Sequence, residues 1–111
     1  NTTADSYDHI LLHQANQFII KQISRRIGAA QEQVLISLDR YGNTGGISIP
    51  LTICEAFGDD NDMEKKNVLA AGFGIGLSWA VASFGIDPTN ILSVLETDTH
   101  YKDGIINPSE Y

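Results

Sequence analysis

The 111-residue chain has a single cysteine, a single tryptophan and only three prolines. One cysteine excludes an internal disulfide and fits a reducing compartment, so a cytoplasmic setting is expected. No apolar run reaches the ~18 residues that would cross a bilayer, and no signal peptide is visible. Basic residues are scarce: seven Lys and Arg stand against fourteen Asp and Glu, for a net charge of −7. That balance disfavours non-specific binding to nucleic acid or to an anionic membrane surface. There are no internal repeats and no low-complexity tracts. The chain opens on Asn1 rather than methionine and enters a strand within a few residues, which reads as a piece of a longer polypeptide.

What is present suits one folded domain. The hydrophobic fraction of 42% is ordinary for a globular protein. A chain of this length buries roughly two-thirds of its unfolded surface, enough for a real core. The charge is uneven. Lys21, Arg25, Arg26 and Arg40 are four of the seven basic residues, whereas Glu55, Asp59, Asp60, Asp62 and Glu64 form an acidic stretch. The basic cluster reads either as a dock for an acidic partner or as a solvated helix face.

The apolar run Ile10-Leu11-Leu12 predicts a buried strand over 8–13. Ile19, Ile23 and Ile27 recur at helical spacing, with Phe18 and Ile20 beside them, and Gly28 is placed to end the helix. A second strand is expected over 34–38. From Thr44 to Phe57 the pattern predicts a helix apolar on nearly every face, with Gly45 and Gly46 at its start and Pro50 in its first turn. Residues 67–73 and 76–84 read as a hairpin joined by Gly74-Ile75. A short helix near 89–96 and an irregular tail are expected beyond it. The order strand, helix, strand, helix, hairpin defines an α/β domain with a mixed sheet and packed helices.

Three motifs stand at the ends of these strands: His13-Gln14-Ala15-Asn16, then Asp39 to Leu51 with Tyr41-Gly42-Asn43-Thr44 at its heart, then Gly72-Phe73-Gly74-Ile75-Gly76. In an α/β sheet the strand ends carry the chemistry. Two side-chain donors beside a glycine-rich turn suit a thioester oxygen that becomes negative during reaction. Alone, His13 also reads as a satisfied core histidine, Asn43 as a helix N-cap, and Asn16 as a helix-start residue. Cys54 sits in the apolar helix with no base beside it and reads as a small buried hydrophobe. His9 and His100 have no motif support.

Taken in order and spacing, "HQAN", "DRYGNTGGISIPL" and "GFGIGLSWA" resemble the C-terminal half of β-ketoacyl-acyl-carrier-protein synthase III, a condensing enzyme of the thiolase fold. The similarity runs from Asp8 to Phe84. It implies a C-terminal catalytic half-domain over 1–85 and a tail of unassigned role over 86–111. It implies decarboxylative condensation of an acyl thioester with malonyl-acyl carrier protein in fatty acid biosynthesis. By position His13 and Asn43 match the catalytic histidine and asparagine. Phe73, Gly74, Ile75 and Gly76 match the pocket loop, and Asn16 a substrate-binding residue. Arg25 and Arg26 match basic residues that receive the carrier protein. The implied partners are acyl carrier protein or coenzyme A thioesters and the N-terminal half that holds the nucleophilic cysteine. Because the helix over 45–57 is apolar on most faces, self-association is expected, most simply as a two-fold homodimer. No cofactor and no metal site are implied.

The chain departs from the family at two points. Ile75 replaces the middle glycine of the pocket loop, where a β-branched residue disfavours positive φ. Phe18 replaces an arginine on the carrier-facing helix, which favours a coenzyme A thioester or a condensing enzyme of secondary metabolism. A non-catalytic thiolase-fold partner subunit is the remaining reading.

Overall fold

The structure, a computed structural model, describes residues 2–99. Within them lie strand β1 (His9–Leu12), helix α1 (Gln17–Ile27), strand β2 (Val34–Leu35), a short helix α2 (Leu38–Tyr41), helix α3 (Ser48–Phe57), and strands β3 (Lys66–Gly74) and β4 (Ser78–Ile86). The sheet order is β2-β1-β3-β4. β1 runs parallel to both neighbours, with Leu11 opposite Leu35 on one side and Ala70 on the other. β4 returns antiparallel to β3.

The central strand explains the packing. Ile10, Leu11 and Leu12 are all buried, as the continuous apolar run requires of a strand covered on both faces. Their side chains alternate. Ile10 and Leu12 meet Ile20 and Ile23 of α1, together with Val34 and Leu69. Leu11 meets Phe57 of α3, with Val68, Ala70 and Ile86. One helix therefore covers each face of the sheet.

Local chemistry sets the ends of α1. The Asn16 side-chain oxygen accepts the Ile19 N–H at 2.9 Å, which satisfies a first-turn donor. Gly28 closes the helix at φ 71, and the Ala29 N–H returns to the Ser24 carbonyl at 2.9 Å. The buried stripe runs through Ile20 and Ile23, while Phe18 and Ile27 are exposed.

Several expected elements differ. β2 stops at Leu35, because the Ser37 and Leu38 N–H groups bond to the Gln14 side chain rather than to a strand. The helix expected from Thr44 starts as a 3₁₀ turn over Gly45–Ile47 and becomes α only at Ser48. Pro50 does fall in its first turn. β3 extends one residue beyond the expected strand at each end, through Gly74, and β4 is shifted to start at Ser78 and run to Ile86, around the three residues 75–77. The helix expected near 89–96 is absent: a 3₁₀ turn spans Pro88–Asn90, and residues 91–99 have no regular structure. Tertiary contact overrides the weak local pattern there. Ile91 packs on the α3-side core, and the backbone at Ser93 lies so close that a Cβ on Gly58 would stand 2.3 Å from its Cα. His100 and the rest of the tail lie outside the described residues.

His9 opens β1 with its ring edge-on to Phe57, centroids 5.3 Å apart. Its Nδ1 is buried without a hydrogen-bond partner. Burial holds its pKa below 6.5; nearby Asp8 opposes this and Lys66 adds to it. Above that pH neither state carries the proton. Below it the unfolded chain takes the proton first, so stability falls with pH until the folded state is protonated as well. Urea midpoints measured on either side of pH 6.5 should show this loss, and His9→Gln should remove that part of the slope; an unchanged slope would contradict the assignment.

Candidate active site

β1 lies between β2 and β3: one connection runs from β1 to β2, and the next passes back across β1 from β2 to β3. In such sheets a crevice forms beyond the carboxyl ends of the strands. A cavity of about 430 Å³ lies there, lined by His13, Asn43, Gly45, Gly46, Ser48, Ile49, Gly72, Phe73, Gly74 and Ile75. His13 is the first residue after β1, and its N–H bonds to the Ala71 carbonyl of β3 at 2.9 Å. Ser48 begins α3, whose N-terminal end contributes a positive partial charge at this edge. Gly72, Phe73 and Gly74 close β3.

Each side chain is held. The His13 ring meets Phe73 edge-on, centroids 5.3 Å apart and planes at 83°. Its Nδ1 lies 2.6 Å from the Ser48 hydroxyl. The Asn43 side-chain oxygen accepts the Gly45 N–H at 3.0 Å. That bond fixes which end of the carboxamide is oxygen and leaves both amide hydrogens without a protein partner among the described residues. Asn43 thus closes a local Asx turn and lines the cavity as well.

The remaining expected residues separate. Phe73, Gly74 and Ile75 line the cavity with His13 and Asn43, whereas Gly76 lies just outside it. The positive φ of the turn falls on Gly76, at 117°, and not on Ile75. The β-branched residue therefore keeps an ordinary φ in this turn. Asn16 is away from the cavity and caps α1. Arg25 and Arg26 are exposed in the last turn of α1. Arg25 and Lys21 line a second cavity of about 430 Å³ against Val34 and Ile36. Arg40 does not join them: it pairs with Glu55, which also accepts the Tyr41 hydroxyl at 2.8 Å. Cys54 is absent from the cavity lining. Among the described residues, no three His, Cys, Asp or Glu side chains group as a metal site.

Gln14 and Ser48 had gone unremarked in the sequence. Gln14 is fully buried inside the first motif. Its oxygen accepts the N–H groups of Ser37 and Leu38 at 3.0 and 3.1 Å. Its amide nitrogen donates to the carbonyls of Leu12 and Leu35 at 2.8 and 3.5 Å. Its place between two motif residues was the available signal. Ser48 gave none, since a serine at a helix start ordinarily reads as a cap.

With that geometry in place, the comparisons define the class. The family model for the 3-oxoacyl-[acyl-carrier-protein (ACP)] synthase III C terminal matches residues 1–86, and the chain belongs to that family. β-Ketoacyl-[acyl-carrier-protein] synthase III of Clostridium perfringens is 39% identical over 82 residues, covering 74% of this chain and 25% of the relative. That of Synechococcus sp. strain RCC307 is 44% identical over the same length and the same shares. Among solved structures, 3-oxoacyl-(acyl-carrier protein) synthase from Burkholderia xenovorans LB400 superposes with a TM-score of 0.79 at 39% identity, covering 87% of this chain and 28% of that one. The synthase III of Thermus thermophilus gives 0.66 at 41%, covering 73% and 25%. The fold is the C-terminal part of a thiolase-like fold, and the chain spans about a quarter of the length of the relatives it matches.

Removing the Gln14 carboxamide should be costly. Gln14→Leu leaves the Ser37 and Leu38 N–H groups unpaired, at about 1–3 kcal/mol each. Urea denaturation should show a loss of at least about 2 kcal/mol; a change within experimental error would mean that these groups find other partners.

Proposed function

We propose that this chain supplies the histidine and asparagine of a decarboxylating, carbon–carbon bond-forming condensing site in fatty acid biosynthesis. One observation carries the reading: His13 and Asn43 line one cavity at the carboxyl edge of the sheet. Loss of carbon dioxide from a malonyl thioester leaves an enolate whose charge sits on the thioester oxygen. An imidazole N–H and a carboxamide N–H, held beside one cavity, would stabilise that charge. The glycines of β3 let a pantetheine-borne thioester approach the backbone, and Phe73 walls the ring of His13. The nucleophile that first takes the acyl group is a cysteine outside these residues, since Cys54 does not line the cavity. The reading places the site in the cytoplasm, which the single cysteine favours.

Arg25 and Arg26, exposed at the end of α1, would receive an acidic acyl carrier protein. Phe18, 70% exposed on the same helix, favours a weaker carrier contact. Coenzyme A thioesters, or the substrates of a secondary-metabolic condensing enzyme, are therefore the second reading. The Asn16 amide nitrogen has no protein partner among the described residues and is the group offered to a pantetheine arm.

The test is a chimera in which this chain replaces the corresponding C-terminal part of the Clostridium perfringens relative. It should form β-ketoacyl product from malonyl-acyl carrier protein, and His13→Ala or Asn43→Ala should each lower decarboxylation by roughly 10²–10³. Full decarboxylation without either side chain would refute the reading. The chain alone should form no such product.

Self-association is the second expectation. β4 is a nine-residue edge strand without a charged residue, with Trp79 74% and Val81 56% exposed. The apolar surface available for pairing thus lies on β4 and the hairpin tip more than on α3, whose Ser48, Thr52 and Phe57 are buried. Such an edge pairs readily with another strand. Analytical ultracentrifugation at high micromolar concentration should show a dimer, with Val81→Lys shifting it towards monomer; monomer throughout would contradict it.

A further inference from the structure

We infer that Ser48 is a positioning residue that holds His13 as the Nε2–H tautomer, so that the imidazole presents a donor to the cavity. Its consequence for turnover rests on the condensing-site reading above; the tautomer itself does not.

The argument is a count of protons. The Ser48 side chain is 1% exposed, so water is not its partner. Its oxygen lies 2.6 Å from His13 Nδ1 and accepts the Gln14 N–H at 3.4 Å. A hydroxyl has one proton to give. If Nδ1 carried a proton, it would donate to Ser48, and the serine would hold two incoming donors and an unplaced proton of its own. No other acceptor lies within hydrogen-bond distance of that hydroxyl among the described residues. An unpaired buried O–H is unfavourable. The arrangement that satisfies every group has Ser48 O–H donating to an unprotonated Nδ1. The proton of the neutral ring is then on Nε2, the nitrogen left for the cavity.

The serine is itself fixed. The Thr52 hydroxyl donates to the Ser48 carbonyl at 2.7 Å. That uses the only proton of Thr52, so in the 2.7 Å contact between Ser37 and Thr52 the serine is the donor. The Ser37 N–H in turn goes to the Gln14 oxygen. Gln14, Ser37, Ser48 and Thr52 are the buried polar residues of the described chain, and all four belong to this one network. Every hydroxyl direction in it is determined, and the last points at His13.

Long-range proton–nitrogen NMR of the ¹⁵N-histidine-labelled chain reads the tautomer directly. The wild type should show His13 protonated at Nε2, with Nδ1 shifted by an accepted hydrogen bond. Ser48→Ala should return Nδ1 towards its free position and admit the Nδ1–H form, and Ser48→Thr should restore the wild-type pattern. An Nδ1–H ring in the wild type, or a Nδ1 resonance unmoved by Ser48→Ala, would overturn the assignment; the wild-type spectrum decides it even if Ser48→Ala does not fold. In the chimera, Ser48→Ala should lower kcat rather than raise KM. A chimera without condensing activity whose His13 is still Nε2–H would sink the condensing reading and leave the role of Ser48 standing.

Discussion

Backbone groups at the carboxyl ends of β1 and β2 lie at or beyond the last paired residues, Leu11 and Leu35, and the side chain of Gln14 takes the place of the missing ladder. One carboxamide carries two donors and an oxygen able to accept twice, and here it binds four backbone groups drawn from β1, β2 and the start of α2. Without it the chain could not leave the sheet at this point without stranding polar groups in a fully buried place. Through Ser37 and Thr52 the same network reaches the first turn of α3, and through Ser48 it reaches His13. The edge of the sheet is thereby tied to the helix that covers one face. The His13 imidazole at this edge inherits the rigidity of a core.

Topology brings the other parts to the same place. β1 is buried on both faces, so the residue that follows it emerges at the carboxyl edge between two covering helices. β3 runs parallel to β1 and ends at the same edge with Gly72 and Gly74. The loop after α2 brings Asn43 and the start of α3 to that edge from the opposite side. Three segments far apart in sequence converge because parallel strands all present their carboxyl ends to one side. Glycine at 72 and 74 keeps that side open, and Phe73 between them faces the imidazole.

The elements with strong periodicity were readable. The three buried residues of β1, the capped α1 and the long hairpin each follow from patterns that local and tertiary preferences share. The order of His13, Asn43 and the glycine turn also pointed to one edge of one sheet, and the cavity lies there. What was not readable depends on partners. The two-residue length of β2 is set by Gln14, which no pattern around residues 34–38 discloses. The segment after Ile86 has apolar residues at spacings that suit a helix, yet Ile91 and Val94 are β-branched and weak helix formers. An anchor on the core at Ile91, a side-chain cap from Asp87 to the Thr89 N–H, and the close approach permitted by Gly58 decide its course instead.

Phe18 and Ile75 lie at the surface rather than in the buried network. Phe18 is exposed on α1, and Ile75 is fully exposed at the hairpin tip where it borders the cavity. Neither touches the hydrogen bonds that hold His13 or Asn43. Such a position can change without disturbing His13, because it faces solvent whereas the imidazole is held by a buried polar network. The energetic separation follows from burial: exposed substitutions away from special features shift stability by about 0.5 kcal/mol or less, whereas breaking a satisfied buried network strands several groups at once. The surface around the cavity can then vary while the buried network at the sheet edge stays as it is.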